Sequence, residues 1–407
     1  MPGECINLLN AGIHPLNVCV HVFSTSILKG KSANLNFLLS LLTAPLSWLW
    51  GMVVFVRNKL FDSGLLQSQS FDVPLICVGN IAVGGTGKTP HVEYLLHLLH
   101  EQGYRVAMLS RGYGRRTRGY LLANPQHTAA DIGDEPFQIS RNCPFAQVAV
   151  AEKRVIGIRQ LMALPNPPQV IVLDDAFQHR YVRAGLNILL TDAHRLYTTD
   201  HLLPWGRLRE PASSARRAQV VVVTKCVGSE RPALPVEEGQ HLFYSHIQYA
   251  APQPFDAHST VLTGNNAPDA APEPCSYAGR SVLLIAGIAN PLPLVNYISD
   301  SGAQNVTTLS FADHHAFTVK DALRINQAWQ KLLDGMLPDA RPALAVTTQK
   351  DATRLQTLIP HLVPTLRRAL CVQPITVEIS ENAQYSPTFN QIIIHYVSQN
   401  SRNSRVD

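Results

Sequence analysis

A glycine-rich loop between an apolar run and a helical pattern constrains this chain more than any other feature of its sequence. Residues 76–90 read ICVGNIAVGGTGKTP, in which AVGGTGKT matches the Walker A pattern with Ala in place of its first Gly. Such a loop needs a buried strand before it and a helix after it, because loop N–H groups and the helix N-terminus together hold phosphate. PLICVGN (74–80) predicts the strand, and 89–102 predicts the helix.

The residue types in this loop predict a nucleotide phosphate site. Glycines let backbone N–H groups turn toward an anion. Lys88 can reach the β- and γ-phosphates, and the Thr89 hydroxyl can bind Mg²⁺. The predicted nucleotide-binding residues are Ala82, Val83, Gly84, Gly85, Thr86, Gly87, Lys88, Thr89 and Pro90.

A pair of aspartates supplies the second half of the predicted site. QVIVLDDA (169–176) reads as a buried strand that ends in Asp174 and Asp175. Carboxylates at the C-terminal end of a parallel strand face the ligand crevice of an α/β sheet. With Thr89, this pair predicts a Mg²⁺ site, although a pair of carboxylates can also simply cap a strand end.

Apolar runs alternate with helical patterns beyond the loop. Runs at 105–112, 146–153, 186–193 and 219–226 are rich in Val, Ile and Leu and do not alternate with polar residues. This pattern is typical of parallel strands covered on both faces, so the sequence predicts an α/β fold with a P-loop NTPase-type parallel sheet core.

A smaller α/β unit is predicted toward the C-terminus. Residues 251–280 are rich in Pro, Ala, Asn and Gly and read as a linker. Strands are predicted at 281–288, 307–311 and 343–349, with helices near 291–301 and 318–333. The predicted domain ranges are 1–36 (an extension), 37–66 (a membrane-associated helix), 67–250 (the P-loop core), 251–280 (the linker) and 281–399 (the smaller C-terminal domain).

The segment 37–56, FLLSLLTAPLSWLWGMVVFV, contains no charge and is long enough to cross about 30 Å of hydrocarbon as a helix. Pro45 would kink such a helix. Three readings stay open: a spanning helix, a kinked helix in the membrane interface, and a buried core helix. Only 15 % of the residues are charged, against about 25 % in a typical soluble protein, which favours a lipid partner.

Charge and cysteine usage limit the other partners. The net charge is +5 without a long basic run, so nucleic acid is not the expected partner, whereas an anionic membrane or a phosphorylated substrate is. The seven cysteines are widely spaced and form no CxxC, so we expect reduced thiols in a cytoplasmic compartment.

Several blocks around these motifs resemble the tetraacyldisaccharide 4′-kinases, the lipid A 4′-kinases of Gram-negative bacteria. The resemblance covers about residues 37–390. The blocks, in family order, are RNKLFDSGLL (57–66), VGNIAVGGTGKTP (78–90), LSRGYGR (109–115), IGDEP (132–136), VLDDAFQH (172–179), LLPWGRLREP (202–211), AGIANP (286–291), FADHHAF (311–317) and TTQKDATRL (347–355).

The resemblance implies a kinase that uses ATP and Mg²⁺. It implies phosphorylation of the 4′-hydroxyl of a tetraacyldisaccharide 1-phosphate, giving lipid IVA. Because ATP and reduced thiols are both found in the cytoplasm, we expect residues 37–56 to hold the protein at the cytoplasmic face of the inner membrane. The resemblance also implies two α/β domains and an N-terminal membrane-associated helix. The chain departs from the family pattern at residues 205–207 and at Gln349, which concerns substrate contacts only.

Catalytic roles beyond the loop come from the resemblance. Kinases position an acceptor hydroxyl and offer a carboxylate for its proton. Asp134 is the expected base, with Glu135 as a neighbour that could serve instead, and Lys88 is expected to act on the transferred phosphate. His314 or His315 is expected to pair with Asp134, although both could instead form a helix N-cap cluster.

Substrate contacts are expected in two further blocks. Arg111 and Tyr113, with Arg115, follow a predicted strand end and suit a phosphate, since the guanidinium fork is planar and permanently charged. Arg209 and Glu210 are expected at sugar hydroxyls. Surface ion pairs are the alternative for each.

A second class of function stays open from the sequence. Thr348-Gln349-Lys350-Asp351 resembles the [NT][KQ]xD pattern that reads guanine, so a membrane-attached P-loop GTPase is the alternative to the kinase.

Overall fold

The computed structural model describes residues 33–228, 231–255, 275–313, 315–380 and 387–400. Most of the predicted extension and of the predicted linker lies outside the described residues. Within them the helices are α1 (Ala33–Asp62), α2 (Lys88–Glu101), α3 (Ala129–Ile132), α4 (Asp134–Asn142), α5 (Arg154–Met162), α6 (Leu292–Asp300), α7 (Val319–Asp334), α8 (Gln349–Leu355), α9 (Pro364–Ala369) and α10 (Phe389–Asn400), with 3₁₀ turns at Ala212–Arg217 and Gln356–His361.

The described residues form fourteen strands, of which nine coincide with the predicted apolar runs and five had no predicted run. They are β1 (Leu75–Gly79), β2 (Val106–Ser110), β3 (Leu121–Leu122), β4 (Gln147–Val150), β5 (Val170–Asp174), β6 (Leu186–Asp192), β7 (Val220–Thr224), β8 (His241–Tyr249), β9 (Gln253–Pro254), β10 (Arg280–Ala286), β11 (Asn305–Ser310), β12 (Arg341–Thr348), β13 (Leu370–Gln373) and β14 (Ile375–Ser380).

The larger sheet has nine strands in the order β14-β8-β7-β6-β1-β5-β2-β4-β3. Every pair from β8 to β4 is parallel, and only the two edge strands run antiparallel. The centre of the sheet, β1, lies between β5 and β6, so the loop after β1 and the aspartates after β5 share one edge. The predicted α/β fold with a parallel core is confirmed.

Burial on both faces explains why the strands read as uninterrupted apolar runs. Each residue of β1, β2, β5 and β7 is buried. One face packs on helix α2 through Val92 and Leu96 and on helix α10 through Phe389 and Ile393. Because a side chain on either face of the sheet is buried, the strand sequences do not alternate between apolar and polar residues.

The smaller sheet has five strands in the order β11-β10-β12-β13-β9, parallel except for β9. The chain then returns to the larger sheet, where β14 pairs with β8 and helix α10 joins the core. The predicted second-domain range 281–399 includes β14 and α10. In the structure β14 is a strand of the larger sheet, and α10 packs against that sheet. The domain boundaries themselves stay a prediction.

The described residues form two compact units, each of which makes most of its contacts within itself. One comprises helix α1 with the residues up to 66, the segment 81–84 and the segment 195–215. The other comprises residues 67–80, 85–194 and the chain after 216, and it contains both sheets.

In the first unit, helix α1 packs through one face on the segment 195–215. Ser47 Oγ donates to Leu202 O at 2.9 Å, Trp50 Nε1 donates to Arg209 O at 3.1 Å, and Asn58 Nδ2 donates to Glu210 Oε2 at 3.3 Å. The remaining surface of α1 exposes a row of apolar side chains, namely Leu46, Trp48, Leu49, Met52, Val53, Phe55 and Val56. Among the residues whose side chains are described, no helix is both long and apolar enough to cross a membrane.

One cysteine pair departs from the sequence-based expectation. Cys275 and Cys371 form a disulfide, with their Cα atoms 6.8 Å apart, although 96 residues separate them in the chain. The prediction that the thiols are all reduced is therefore wrong for this pair. Cys77, Cys143 and Cys226 are buried free thiols, as predicted.

Candidate active site

The glycine-rich loop is fixed by hydrogen bonds from residues at the ends of two strands of the larger sheet. Gly87 has φ +79°, a left-handed conformation that favours glycine, and helix α2 begins directly after it. Asn80 Nδ2 donates to Thr86 Oγ1 at 2.9 Å, and Thr224 Oγ1, at the end of β7, donates to Thr86 O at 3.0 Å. Both donors are buried, so the loop is held from below by groups that solvent does not reach.

A buried histidine ties helix α2 to the sheet. His91 Nδ1 lies 2.7 Å from Gly87 O, and His91 Nε2 lies 2.9 Å from Ser245 Oγ on strand β8. Because a carbonyl oxygen only accepts, Nδ1 carries the proton and Nε2 accepts from the serine hydroxyl. Burial lowers the pKa of His91 to about 4 against the opposing hydrogen bond to Gly87, so the ring is neutral at pH 7.

The lysine of the loop meets the aspartate pair. Lys88 Nζ lies 3.7 Å from Asp175 Oδ1, and the side chains are 10 % and 31 % exposed. Asp175 has φ +45°, a conformation that is uncommon outside glycine and that occurs at constrained functional positions. Neighbouring parallel strands β1 and β5 bring the two residues together, as the sequence predicts.

Asp174 is the buried member of the pair. Its Oδ2 accepts from Ser110 Oγ at 3.0 Å, whereas its Oδ1 is buried without a hydrogen-bond partner among the described residues. Burial first, and then the charges of Glu135 and Asp175, raise the pKa of Asp174 well above its usual value, against Lys88 and Ser110. A buried carboxylate oxygen without a donor fits a cation, and hard oxygen ligands suit Mg²⁺.

The described residues contain no cluster of three or more His, Cys, Asp or Glu side chains arranged around a metal position. A Mg²⁺ that is shared with nucleotide phosphates needs only one or two carboxylates from the protein. The hydroxyl of Thr89 and the carboxylates of Asp174 and Asp175 are therefore suitable ligands for such an ion.

Asp134 begins helix α4 beside this edge of the sheet. Gly133 precedes it with φ +93°, and a Cβ there would lie 3.0 Å from Tyr113 O, so the tight approach requires glycine. The carboxylate, 29 % exposed, receives two donors from one side chain: Arg354 Nε at 2.8 Å and Arg354 Nη2 at 2.6 Å, both to Asp134 Oδ2.

A buried glutamate joins the helix of the loop to the helix of Asp134. Glu93 Oε1, on α2, accepts from Gln138 Nε2 at 3.0 Å and from Asn142 Nδ2 at 2.9 Å, both on α4. Burial raises the pKa of Glu93 to about 7, while the hydrogen bonds from Asn142 and Gln138 oppose the shift. The two helices are therefore connected by a carboxyl group that is easily protonated.

We expect Glu93→Gln to stabilise the protein at pH 8 and to change its stability little at pH 4.5. In the folded state the carboxyl has a pKa of about 7 instead of 4.5, so its favourable contribution is fully present below about pH 4.5 and is lost as pH rises from 4.5 to about 7. Gln keeps the accepting oxygen and cannot ionise. The gain at pH 8 should be on the order of 3 kcal/mol, measured by urea denaturation at both pH values.

The matched control for this prediction is Glu101→Gln, on the exposed end of the same helix. An equal effect of Glu93→Gln at the two pH values, or a loss of stability at pH 8, would contradict the assignment of a neutral buried carboxyl.

The histidine segment is only partly described. His314 lies outside the described residues. His315 Nε2 lies 3.0 Å from Asp321 Oδ2, and Asp321 also accepts from Thr318 in the capping box that begins helix α7. His315 thus takes part in the helix N-cap cluster that the sequence allows as an alternative, and its pairing with Asp134 stays a prediction.

The predicted substrate residues occupy different environments. Arg111 and Tyr113 are exposed in the loop after β2. Arg115 is instead almost buried, donates to Gly119 O at 2.6 Å and pairs with Glu152, so it shapes that loop. Arg209 and Glu210 lie in the other unit, against helix α1, and Glu210 is buried.

The first residues of the predicted nucleotide site also belong to the unit of helix α1. Val83 N donates to Arg207 O at 2.8 Å, and Ala82 forms an antiparallel bridge with Leu208. The nucleotide-binding roles of all the residues from Ala82 to Pro90 stay a prediction.

The resemblance of residues 348–351 to a guanine-reading motif does not survive in the structure. The Asp351 side chain is fully buried, and its Oδ2 accepts from Gly287 N and from Thr348 Oγ1, each at 2.8 Å. Burial raises the pKa of Asp351 against these hydrogen bonds. A carboxylate that reads guanine must face the base, so this aspartate serves the fold instead.

Sequence reasoning missed the residues that hold the glycine-rich loop and Asp134. Asn80, Thr224, Ser245 and Arg354 act across separations of up to 220 residues. Asn80 is the one with a local signal, because it is a polar residue that directly ends a buried strand.

Fold and site together define a P-loop protein that uses a nucleoside triphosphate: a central parallel strand leads into the loop, and the loop lysine meets an aspartate after the neighbouring strand. The family model of the Tetraacyldisaccharide-1-P 4'-kinases matches residues 39–393, which is most of the chain. The chain belongs to the tetraacyldisaccharide 4′-kinase family, and the resemblance seen in the sequence is confirmed.

Individual relatives agree with this assignment. The tetraacyldisaccharide 4′-kinase of Bacteroides thetaiotaomicron is 46 % identical over 372 residues, covering 88 % of this chain and 94 % of the relative. That of Parabacteroides distasonis is 44 % identical over 372 residues, covering 89 % and 96 %. The crystal structure of "apo" form LpxK from Aquifex aeolicus in complex with ATP superposes with a TM-score of 0.63 at 27 % identity, covering 87 % of this chain and 98 % of that one.

Proposed function

We propose that this protein transfers the γ-phosphoryl group of ATP to the 4′-hydroxyl of a tetraacyldisaccharide 1-phosphate, giving lipid IVA, a step of lipid A biosynthesis. The observation that carries the proposal is the meeting of Lys88 with Asp175, beside buried Asp174, in a chain of the tetraacyldisaccharide 4′-kinase family. The GTPase alternative is not favoured, because Asp351 is committed to Gly287 and Thr348.

Phosphate binding is the role of the loop. Backbone N–H groups of Gly85–Thr89 and the N-terminus of helix α2 attract the phosphate oxygens, and the Lys88 ammonium neutralises charge on the β- and γ-phosphates. Thr89 Oγ1 and the carboxylates of Asp174 and Asp175 would hold Mg²⁺, which supplies charge neutralisation between the same phosphates when it is bound.

Proton acceptance is the role of Asp134. The acceptor hydroxyl has a high pKa, so its oxygen becomes a good nucleophile only as its proton leaves. As the bond from O4′ to the γ-phosphorus forms and the bond to the bridging oxygen of ADP breaks, the carboxylate of Asp134 takes the hydroxyl proton. Arg111 and Tyr113 are exposed and suit the phosphate of the lipid, and Arg209 and Glu210 are proposed for sugar hydroxyls.

The test is transfer of label from [γ-³²P]ATP to tetraacyldisaccharide 1-phosphate in detergent micelles, with GTP compared at equal concentration. Labelled lipid IVA should form with ATP. Lipid IVA itself serves as the control acceptor, because its 4′ position is already phosphorylated. Failure to label the acceptor, or equal labelling of lipid IVA, would overturn the proposed reaction.

We also propose that helix α1 holds the enzyme at the cytoplasmic face of the inner membrane. Trp48 and Phe55 are 70 % and 57 % exposed, and with Met52 they line an apolar groove of about 340 Å³ against Leu202 and Pro211. An acylated substrate stays in the bilayer, because moving its acyl chains into water costs about 0.8 kcal/mol of free energy for each CH₂ group. Since ATP is cytoplasmic, the active site has to meet both substrates at that face.

We expect the triple variant Trp48→Glu, Met52→Glu, Phe55→Glu to lose membrane binding. Transfer of a buried apolar side chain contributes about 1.5–3 kcal/mol, so removing three should weaken binding at least about ten-fold. Co-flotation with vesicles of phosphatidylethanolamine and phosphatidylglycerol measures it. Substitution is preferable to deletion because it leaves the contacts of Ser47, Trp50 and Asn58 in place.

The control is the triple variant Val227→Glu, Leu292→Glu, Leu337→Glu, which changes exposed apolar residues outside helix α1. It should float like the wild type, and both variants should phosphorylate substrate in micelles. If the α1 variant floats like the wild type, the membrane anchor lies elsewhere.

A further inference from the structure

Helix α8 makes a set of contacts that neither phosphate binding nor membrane attachment uses. It covers Gln349–Leu355, directly after its N-cap Thr348, and so includes most of the motif that resembles a guanine-reading sequence. Three of its side chains, those of Lys350, Asp351 and Arg354, form ion pairs or hydrogen bonds with segments distant in the chain. Residues one turn apart share a helix face, so Lys350 and Arg354 lie on the same side of α8.

Arg354 is a buried cation directed at an accessible carboxylate. Its side chain is 7 % exposed, whereas that of Asp134 is 29 % exposed. Nε and Nη2 of Arg354 both donate to the one oxygen Oδ2 of Asp134, at 2.8 and 2.6 Å. Two donors converging on one oxygen restrict rotation of the carboxylate more than one donor does, and charge-assisted bonds of this length are strong ones.

The guanidinium is itself held in place by the start of α8. Nη1 of Arg354 lies 3.5 Å from Asp351 Oδ1. Asp351 is anchored by Gly287 N and by the N-cap Thr348, and a Cβ at Gly287 would lie 2.8 Å from Asp351 Oδ1. The chain of contacts thus runs from the backbone of the smaller sheet, through two buried side chains, to the carboxylate of Asp134.

The same helix also holds the segment that contains the histidines. Lys350 Nζ lies 2.9 Å from Asp313 Oδ1, next to position 314. Helix α8 therefore contacts both segments to which the sequence assigns proton chemistry.

We propose that Arg354 is a positioning residue for phosphoryl transfer: it orients the carboxylate of Asp134 toward the acceptor hydroxyl. This inference rests on the proposed function, in which Asp134 accepts the proton. Arg354 acts through Asp134 and does not touch ATP or the lipid, so its removal lowers the rate of the chemical step and leaves nucleotide binding intact.

The experiment is a double-mutant cycle on kcat with Asp134→Asn and Arg354→Met, measured by single turnover with saturating ATP and lipid. Arg354→Met alone should lower kcat about 10- to 100-fold, as misplacement of a reacting group does, with KM for ATP within about two-fold. In the Asp134→Asn background the same substitution should change kcat less than about two-fold. Arg216→Met, which breaks the exposed pair with Glu237, is the control and should leave kcat unchanged.

Each result decides a different point. An equal loss from Arg354→Met in both backgrounds would mean a general structural role and would overturn the inference. Loss of kcat in Asp134→Asn without any loss in Arg354→Met would overturn the inference and leave the proposed base intact. An unchanged kcat in Asp134→Asn would overturn the base and the inference together.

Arg354→Lys keeps the cycle decisive if the Met variant fails to fold. Lysine preserves the charge between Asp351 and Asp134 but cannot place two donors in a fixed fork. It should lose part of kcat in the wild-type background, none in the Asp134→Asn background, and keep the thermal stability of the wild type. Full activity of Arg354→Lys would show that charge alone suffices and would overturn orientation as the role.

Discussion

Replacing Lys88 with Ala is expected to reduce phosphoryl transfer to less than about a tenth of the wild-type rate. In the proposed function the ammonium group neutralises charge on the transferred phosphate, and removal of one such preorganised group typically lowers kcat about 10²–10³-fold. The initial rate of lipid phosphorylation at saturating ATP measures the effect.

The control for Lys88→Ala has to test folding as well as activity. The side chain of Lys88 is 10 % exposed and lies 3.7 Å from Asp175, so its removal leaves Asp175 with one positive neighbour fewer. Thermal denaturation of the variant must therefore accompany the assay, with Lys331→Ala on the exposed face of helix α7 as the matched substitution. Activity above about a tenth of wild type in a folded variant would contradict the assignment of Lys88.

Short-range patterns predicted that Lys88 lies close to the aspartate pair, as the structure shows. The apolar runs before the loop and before the aspartates are uninterrupted because β1 and β5 are buried on both faces. Once both are parallel neighbours, their C-terminal ends must share an edge, and Lys88 must approach Asp175. Nothing beyond local residue order and the geometry of parallel strands is needed for that step.

Contacts that depend on the packing of distant segments could not be predicted. The Asp134–Arg354 pair spans 220 residues, and the hydrogen bond from Thr224 to Thr86 spans 138. No residue pattern near Asp134 signals an arginine partner on helix α8. The return of β14 and α10 to the larger sheet is equally invisible, since it is fixed by burial of residues such as Phe389 and not by their order.

The histidine segment shows how one pattern allows two structures. In sequence, a histidine shortly before an Asp-containing helix start suits a catalytic pair or an N-cap cluster. In the structure His315 hydrogen bonds to Asp321, which forms the capping box of helix α7 with Thr318. A carboxylate at the third position of a helix is well placed to accept hydrogen bonds from the N-cap residue and from a side chain that precedes it.

Replacing Asp134 with Asn is expected to lower kcat about 10²–10⁴-fold, the usual contribution of a general base, while KM for ATP changes little. Asn has the same shape but cannot accept the hydroxyl proton. The pair with Arg354 is also weakened, because a neutral amide attracts the guanidinium less than a carboxylate does. Steady-state kinetics with varied ATP at saturating lipid separates the two parameters.

Two neighbouring carboxylates serve as controls for Asp134→Asn. Asp131, three residues earlier, accepts from Thr128 at the start of helix α3, so Asp131→Asn tests for a general disturbance of this segment. Glu135→Gln tests the adjacent carboxylate, whose charge raises the pKa of Asp174. Both should retain kcat to within about ten-fold, since neither is expected to take the proton. If Asp134→Asn keeps the wild-type kcat and Glu135→Gln loses it, the base is Glu135, and Arg354 then holds a carboxylate without a part in the reaction.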